Sequence, residues 1–316
     1  MDSEKMAYLV TAYKDPLHLS RLIKSLNEKS DFYIHIDAKV SMAPFKTVLS
    51  DFENVRFTRN RFFTNWGGYR HFLCHYELLR RVIESKEQYL RVVCLSGLDY
   101  PVWSNLRIRH TFETHRNWEY ISGFNITRGH SRRQLKRIRM YHFLYDVKVK
   151  DVLMKKVFSG LARKVMQTLP VRRNPFTELD GNRADVFMGS DYWAITIGCA
   201  KYVFEKMSTQ KRLMKYFKYT FVPSEMCVQT IVFNSPFASN AIVYNAKEYP
   251  GLTRLTPLHY IEYGKAIRIF TERDYNLLVN SGKMFFRKAS SGISNVLLDK
   301  IDSRRASCSG GNHQSS

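Results

Sequence analysis

The chain alternates short, almost wholly apolar runs with longer stretches whose apolar residues recur at helical spacing. Ala7–Ala12 (AYLVTA), Phe32–Asp37 (FYIHID), Asn54–Thr58, Arg91–Gly97 (RVVCLSG) and Glu119–Gly123 read as five strands, the third the weakest. Asp15 and Pro16 open a helix carrying Leu19, Leu22, Ile23 and Leu26, and Trp66-Gly67-Gly68 precedes a second from about Arg70 to Ser85. Pro170–Asn182 reads as a loop and an internal boundary. Strand character returns over Asp185–Ile197 and Ala241–Asn245, with helices over Ala200–Met207 and from about Glu272 to Ser281. Ser303–Ser316, polar and rich in small residues, is expected to be disordered. Strands alternating with helices predict an α/β fold with a mostly parallel central sheet. Ligands bind such sheets beyond the carboxyl ends of the strands, the edge on which Asp37 and Asp99 are expected.

Two acids carry candidate chemistry. Glu225, in Phe221–Pro236 (FVPSEMCVQTIVFNSP), stands at a loop-to-helix junction, where unpaired N–H groups and the positive helix end would keep it ionised. It suits a general base; as ordinary structure, Ser224 and Glu225 would cap the helix. Asp37 ends an early strand, where it either accepts hydrogen bonds from a nucleoside or caps a turn. No GxGxxG or Walker loop accompanies it.

Composition narrows the partners. At 316 residues, with 44% hydrophobic and 14% aromatic content, the chain has material for a sizeable core. Fifty basic against 28 acidic residues give a net charge of +22, which favours an anionic partner. Fourteen Lys or Arg and only two acids fall within 128–174. There Val152–Leu169 reads as a basic amphipathic helix, either docked on an anionic membrane or a solvated face over the core. The five scattered cysteines include no CxxC pair, so neither a zinc framework nor a disulfide framework is indicated. No apolar run approaches the ~20 residues of a membrane span, and the N-terminus reads as no signal peptide. Aromatic residues do not interleave with the basic run and no nucleic-acid-binding motif appears, which disfavours the remote alternative of a nucleic-acid-binding protein.

Eight pieces in order, AYLVTAYKDP, FYIHIDAK, NWGGYRH, CLSGLDYPV, MGSDYW, VPSEMCVQT, HYIEYG and IFTERDYNLLVNSGKMFFRK, resemble the core-2/I-branching β-1,6-N-acetylglucosaminyltransferase family, which includes the protein O-xylosyltransferases. The resemblance runs from about Met6 to Lys300. It implies a GT-A-type fold over 1–302, with a Rossmann-like nucleotide half at about 6–125 and an acceptor half at about 126–302. It implies inverting transfer from a UDP-sugar to a hydroxyl. By position, Glu225 matches the catalytic base and Asp37 the acid that contacts uridine. Val10 lies in the strand that approaches the uracil. Lys288 matches a diphosphate-binding lysine, with either Lys265 or Arg268 as its upstream companion. Tyr263 stands where most members carry an acceptor-contacting Trp. Trp66, Asp99, Ser190 and Trp193 match motif positions, and the arginines around Arg132, Arg133 and Arg137 fall where acceptor-binding residues lie.

No Asp-x-Asp motif is present to hold a divalent metal on the diphosphate, so the departing UDP is expected to meet fixed Lys and Arg charges. No cofactor or metal is expected. No second acid is placed as a nucleophile for a retaining route. A bacterial-type member is implied, cytoplasmic and peripheral at the inner membrane face, adding GlcNAc to a free or lipid-linked glycan in cell-surface polysaccharide synthesis. A xylosyltransferase, or another UDP-sugar transferase of the same fold, is the alternative.

Overall fold

The computed structural model describes residues 4–129, 131–143, 145–147, 160, 172–245, 248–264 and 266–310. Lys265 and, apart from Gly160, the expected basic helix Val152–Leu169 lie outside the described residues. Thirteen strands are described: β1 (Lys5–Ala12), β2 (Ser30–Ile36), β3 (Val55–Phe57), β4 (Tyr89–Ser96), β5 (Asp99–Pro101), β6 (Ser122–Asn125), β7 (Thr177–Leu179), β8 (Asn182–Ala184), β9 (Phe187–Gly189), β10 (Ala194–Ile195), β11 (Ile242–Tyr244), β12 (His259–Ile261) and β13 (Phe285–Arg287).

The central sheet runs β10-β4-β1-β2-β3, all parallel except β10. This is the expected mostly parallel sheet flanked by helices, of GT-A type. The chain steps from β1 to β2 on one side and places β4 on the other, so the strand order reverses at β1. That reversal opens a crevice at the carboxyl ends of β1 and β4.

The apolar runs are continuous because both sheet faces are covered. Tyr8, Val10, Ile34, Val93 and Leu95 enter one core, packed by the helix Pro16–Leu26 and by Ile108, Phe112, Leu297 and Leu298. Ala7, Leu9, Tyr33, Val92 and Cys94 enter the other, packed by the helix Tyr69–Glu84 and by Val203 and Ile231. The first helix starts as its sequence dictates, with Pro16 in the first turn and the Asp15 carboxylate accepting from His18 N at 3.2 Å. The helix Tyr69–Glu84 is capped from a distance: the Asp146 carboxylate accepts from Tyr69 N and Arg70 N, each at 3.0 Å.

Several expectations are corrected. The fifth strand lies at Ser122–Asn125, further along than its apolar pattern placed it. The Pro170–Asn182 loop contains β7, which pairs with β8 as a hairpin around Gly181 at φ 77°. The helix expected from Glu272 is a 3-10 turn, Glu272–Asp274, followed by Tyr275–Val279. Of the tail expected to be disordered over Ser303–Ser316, residues 303–310 continue a helix, Asn295–Gly310, and 311–316 lie outside the described residues. Arg305 explains that last difference. It is buried, and its guanidinium donates to Trp103 O, Ser25 O and Asn105 Oδ1 at 2.8–2.9 Å. Composition could not reveal a charged residue that finds three acceptors on other elements. Among the described residues no helix is long and apolar enough to cross a membrane.

Replacing Arg305 by Ala leaves those acceptors without their donor and is expected to cost about 2 kcal/mol. Chemical denaturation measures it; an unchanged midpoint would mean that the helix end is not anchored there.

Candidate active site

A cavity of about 380 Å³ opens at the strand-order reversal. Thr11, Ala12 and Tyr13 at the end of β1, His35 and Asp37 at the end of β2, and Leu95 and Ser96 at the end of β4 form its floor. Asp37 is held in place by its neighbours: Oδ1 accepts from Lys39 N at 2.9 Å, Oδ2 accepts from Thr64 Oγ1, and the Lys39 ammonium lies 3.4 Å away. It therefore caps a turn and faces the cavity at once. A carboxylate oriented in this way can accept from a polar group entering beyond the strand ends.

Glu225 stands on the opposite wall. It closes a 3-10 turn, Pro223–Glu225, before the helix Cys227–Phe233. Val222, just ahead, adopts a left-handed conformation (φ 55°, ψ 56°), rare for a β-branched residue and worth about 1–3 kcal/mol of strain. Its N–H donates to Gly67 O at 3.0 Å. Gly67 itself has φ 82°, and a Cβ there would lie 2.5 Å from the Phe221 ring. The strained turn is thereby fastened to the Trp66-Gly67-Gly68 loop.

No side-chain cap joins Glu225 to the following helix, which corrects both the capping reading and the expectation of a carboxylate held ionised by the helix end. Its partner is Arg137, with Nη1 3.6 Å from Oε2. Burial and then the Asp191 carboxylate push the Glu225 carboxyl up to about 8, against the opposing pull of Arg137. A carboxyl poised there can exchange a proton near neutral pH.

The cationic side comes from β13. Arg287 and Lys288 both line the cavity. Burial, and then Arg287 and Lys14 close by, hold the Lys288 ammonium below its ordinary value. Cations gathered despite their repulsion favour an anionic ligand. Arg287 rests on the fully buried Asp99, whose Oδ1 accepts from Nη1 at 3.0 Å. Asp99 Oδ2 accepts from Ser96 N at 2.7 Å and lies 3.1 Å from His259 Nε2. Burial would raise the Asp99 carboxyl, but His259 and Arg287 outweigh it and hold it below the ordinary carboxylate range.

The structure thus brings Glu225, Asp37, Lys288, Trp66, Ser190 and Tyr263 to one cavity. Others named from the sequence stand elsewhere. Val10 and Trp193 are core side chains, and the cavity meets β1 from Thr11 onward. Asp99 lies beneath the floor as a support. Arg268 pairs with Glu262 at 2.7 Å and with Asp274, away from the lining, because those carboxylates claim its guanidinium. Arg287 stands at the cavity instead, one residue before Lys288, a neighbour the FFRK run could have signalled. Sequence reasoning also missed Asp191, Tyr249 and the pair His71 and His75. The pair has a legible signal, two imidazoles four residues apart on a helix. Of the named arginines, Arg137 reaches the site, while Arg132 and Arg133 are exposed.

Residues 6–261 match the Core-2/I-Branching enzyme family. The chain belongs to that family, whose class is that of the glycosyltransferases. It is 24% identical over 94% of its length to Xylosyltransferase 2 of Canis lupus familiaris, covering 33% of that protein. It is 23% identical over 93% of its length to beta-1,3-galactosyl-O-glycosyl-glycoprotein beta-1,6-N-acetylglucosaminyltransferase 4 of Mus musculus, covering 64% of it. The chain thus spans about a third of the length of the one relative and under two thirds of the other. A solved structure of a 4-diphosphocytidyl-2C-methyl-D-erythritol synthase from Anaerococcus prevotii aligns at a TM-score of 0.37 and 12% identity, covering 76% of this chain and 86% of that one.

Two outcomes are expected. The Glu225 carboxyl, followed by carbon NMR, should titrate near pH 8. Asp191→Asn should lower that midpoint while leaving it above the ordinary range, because burial is the larger cause; a wild-type midpoint near 4.5 would overturn the assignment. Asp99→Ala leaves Arg287 buried without its counter-charge and should cost about 3 kcal/mol or more, read by urea denaturation.

Proposed function

We propose that this enzyme transfers a sugar from a UDP-sugar to a hydroxyl of a glycan acceptor with inversion at the anomeric carbon. The observation that carries the reading is the meeting of Glu225, Asp37 and Lys288 on one cavity at the strand-order reversal. The nucleoside would lie over the β1 and β2 ends, with Asp37 accepting from it and the diphosphate directed toward Lys288 and Arg287. Glu225 would take the proton of the acceptor hydroxyl as that oxygen attacks the anomeric carbon. The bond from that carbon to the diphosphate oxygen breaks on the opposite side, and the electron pair leaves with UDP. Lys288 and Arg287 would stabilise the charge that develops on the leaving group. Asp99 would serve indirectly, by fixing Arg287.

No metal on the diphosphate is part of this reading, because the fixed cations take that role and the chain has no Asp-x-Asp motif. GlcNAc is the proposed donor sugar, and xylose the alternative; both are supported by the names of the relatives. Exposed Trp66, Tyr263 and Tyr249, all lining the cavity with Glu225, offer aromatic faces for sugar rings of the acceptor. A lipid-linked acceptor and contact with an anionic membrane face belong to the same proposal, and rest on the basic sequence of 128–174.

The test is UDP release by purified protein with a panel of UDP-sugars in the presence of EDTA. One donor should turn over, unaffected by EDTA. Glu225→Gln should lower that rate by about 100- to 10,000-fold, the usual contribution of a general base. Lys288→Ala should weaken UDP binding as well as turnover. Failure of the wild-type protein to bind UDP would sink the proposal, and dependence on added manganese would replace its metal-free leaving-group step.

A further inference from the structure

One cluster on the cavity wall is assigned no contact with donor or acceptor in that reaction scheme. His71 and His75 stand one turn apart on the helix Tyr69–Glu84, and Asp191 faces them from the segment between β9 and β10. One nitrogen or carboxylate oxygen from each lies within 4.8 Å of the others. We infer that His71, His75 and Asp191 form a binding site for a divalent transition-metal ion of the zinc class.

The surroundings argue for a built site. His75 is only 4% exposed, and its Nδ1 lies 3.2 Å from Cys94 Sγ, which fixes the ring. Its Nε2 is buried with no hydrogen-bond partner among the described residues, and so is Asp191 Oδ1. Buried polar atoms without partners are uncommon because each forfeits its hydration. The other Asp191 oxygen, Oδ2, accepts from Ser224 Oγ at 3.3 Å, and the same hydroxyl lies 3.4 Å from His71 Nδ1. His75 and Asp191 therefore each have one atom engaged by an outer partner and another to give, and Ser224 Oγ links Asp191 to His71, the arrangement that orients metal ligands.

Donor chemistry selects the ion. Two imidazoles and one carboxylate suit zinc, cobalt or nickel, whereas magnesium and calcium prefer oxygen throughout. Zinc bonds of about 2.0–2.2 Å place tetrahedral ligand atoms roughly 3.4 Å apart. His71 is only half-buried, and a rotation of its ring would close the triangle. Three protein ligands leave a fourth position for water or a substrate oxygen from the cavity. This ion would bind beside Ser224 and Glu225, apart from the Lys288 side that is assigned to the diphosphate.

The inference is independent of the transferase reading and is tested without a sugar donor. Untagged protein, stripped with EDTA and dialysed, is titrated with Co2+. One equivalent should develop the visible absorption of tetrahedral cobalt, and one equivalent of Zn2+ should abolish it while millimolar Mg2+ does not. His71→Ala and Asp191→Asn, checked by circular dichroism for an intact fold, should each weaken binding by about 100-fold or more. These two positions avoid the buried His75, whose loss could disturb folding. Absence of the tetrahedral band, or wild-type affinity in both folded variants, would overturn the site. A separate UDP titration reads the donor side, so failure of one assignment is distinguishable from failure of the other.

Discussion

The buried carboxylate of Asp99 is the constraint on which the cavity depends. A fully buried acid is tolerated only when counter-charge and hydrogen bonds replace its lost hydration. Asp99 obtains these from three elements: Ser96 N at the end of β4, His259 on β12 and Arg287 on β13. Asp99 stands on β5, so meeting that requirement ties the three strands of the small β12-β13-β5 sheet together and joins them to the end of β4 through Ser96 N. The next residue after Arg287 is Lys288, so the same lock delivers the cationic side of the site. Asp15 adds a second tie. Its carboxylate accepts from Ser290 Oγ and Ser291 N just beyond Lys288, and joins that segment to the turn after β1.

The two sides of the cavity have opposite electrostatic characters. On one, Arg287 and Lys288 gather positive charge toward an anionic ligand. On the other, Asp191 and Glu225 share a confined wall with Arg137 as the nearby cation among the described residues, and burial drives the Glu225 carboxyl toward neutral pH. A strongly stabilised carboxylate would be a weak base, and a fully exposed one would have no reason to shift. The strained Val222 turn, seated against Gly67, holds Glu225 between those limits. The positions of the two walls follow from the fold: one is built on the β13 end, the other on the start of the helix that packs beneath β9.

Elements whose residues answer to their immediate neighbours were legible in the sequence. β1, β2 and β4 appear as apolar runs because both of their faces are buried. The helix after β1 announces itself through Asp15, Pro16 and its spaced leucines. Glu225, Asp37 and Lys288 could be singled out from the order of short motifs and do share the cavity. Legibility ended where a partner lies far along the chain. Arg268 and Arg287 are alike in charge, but Glu262 and Asp274 claim the first while the second pairs with Asp99 at the cavity. The polar stretch after Ser303 became helix because Arg305 finds acceptors at Ser25, Trp103 and Asn105.

The sequence by itself determined the α/β alternation, the parallel core and the family, since these rest on local periodicity and on motif order. Tertiary structure alone decided the seating of Glu225 beside Asp191, the supporting role of Asp99, the placing of Arg287 rather than Arg268 at the cavity and the meeting of His71, His75 and Asp191. Each of those depends on burial and on charges brought together from distant parts of the chain. Electrostatic energies follow distance and solvent exclusion in space, and neither is written in the spacing of residues along a chain.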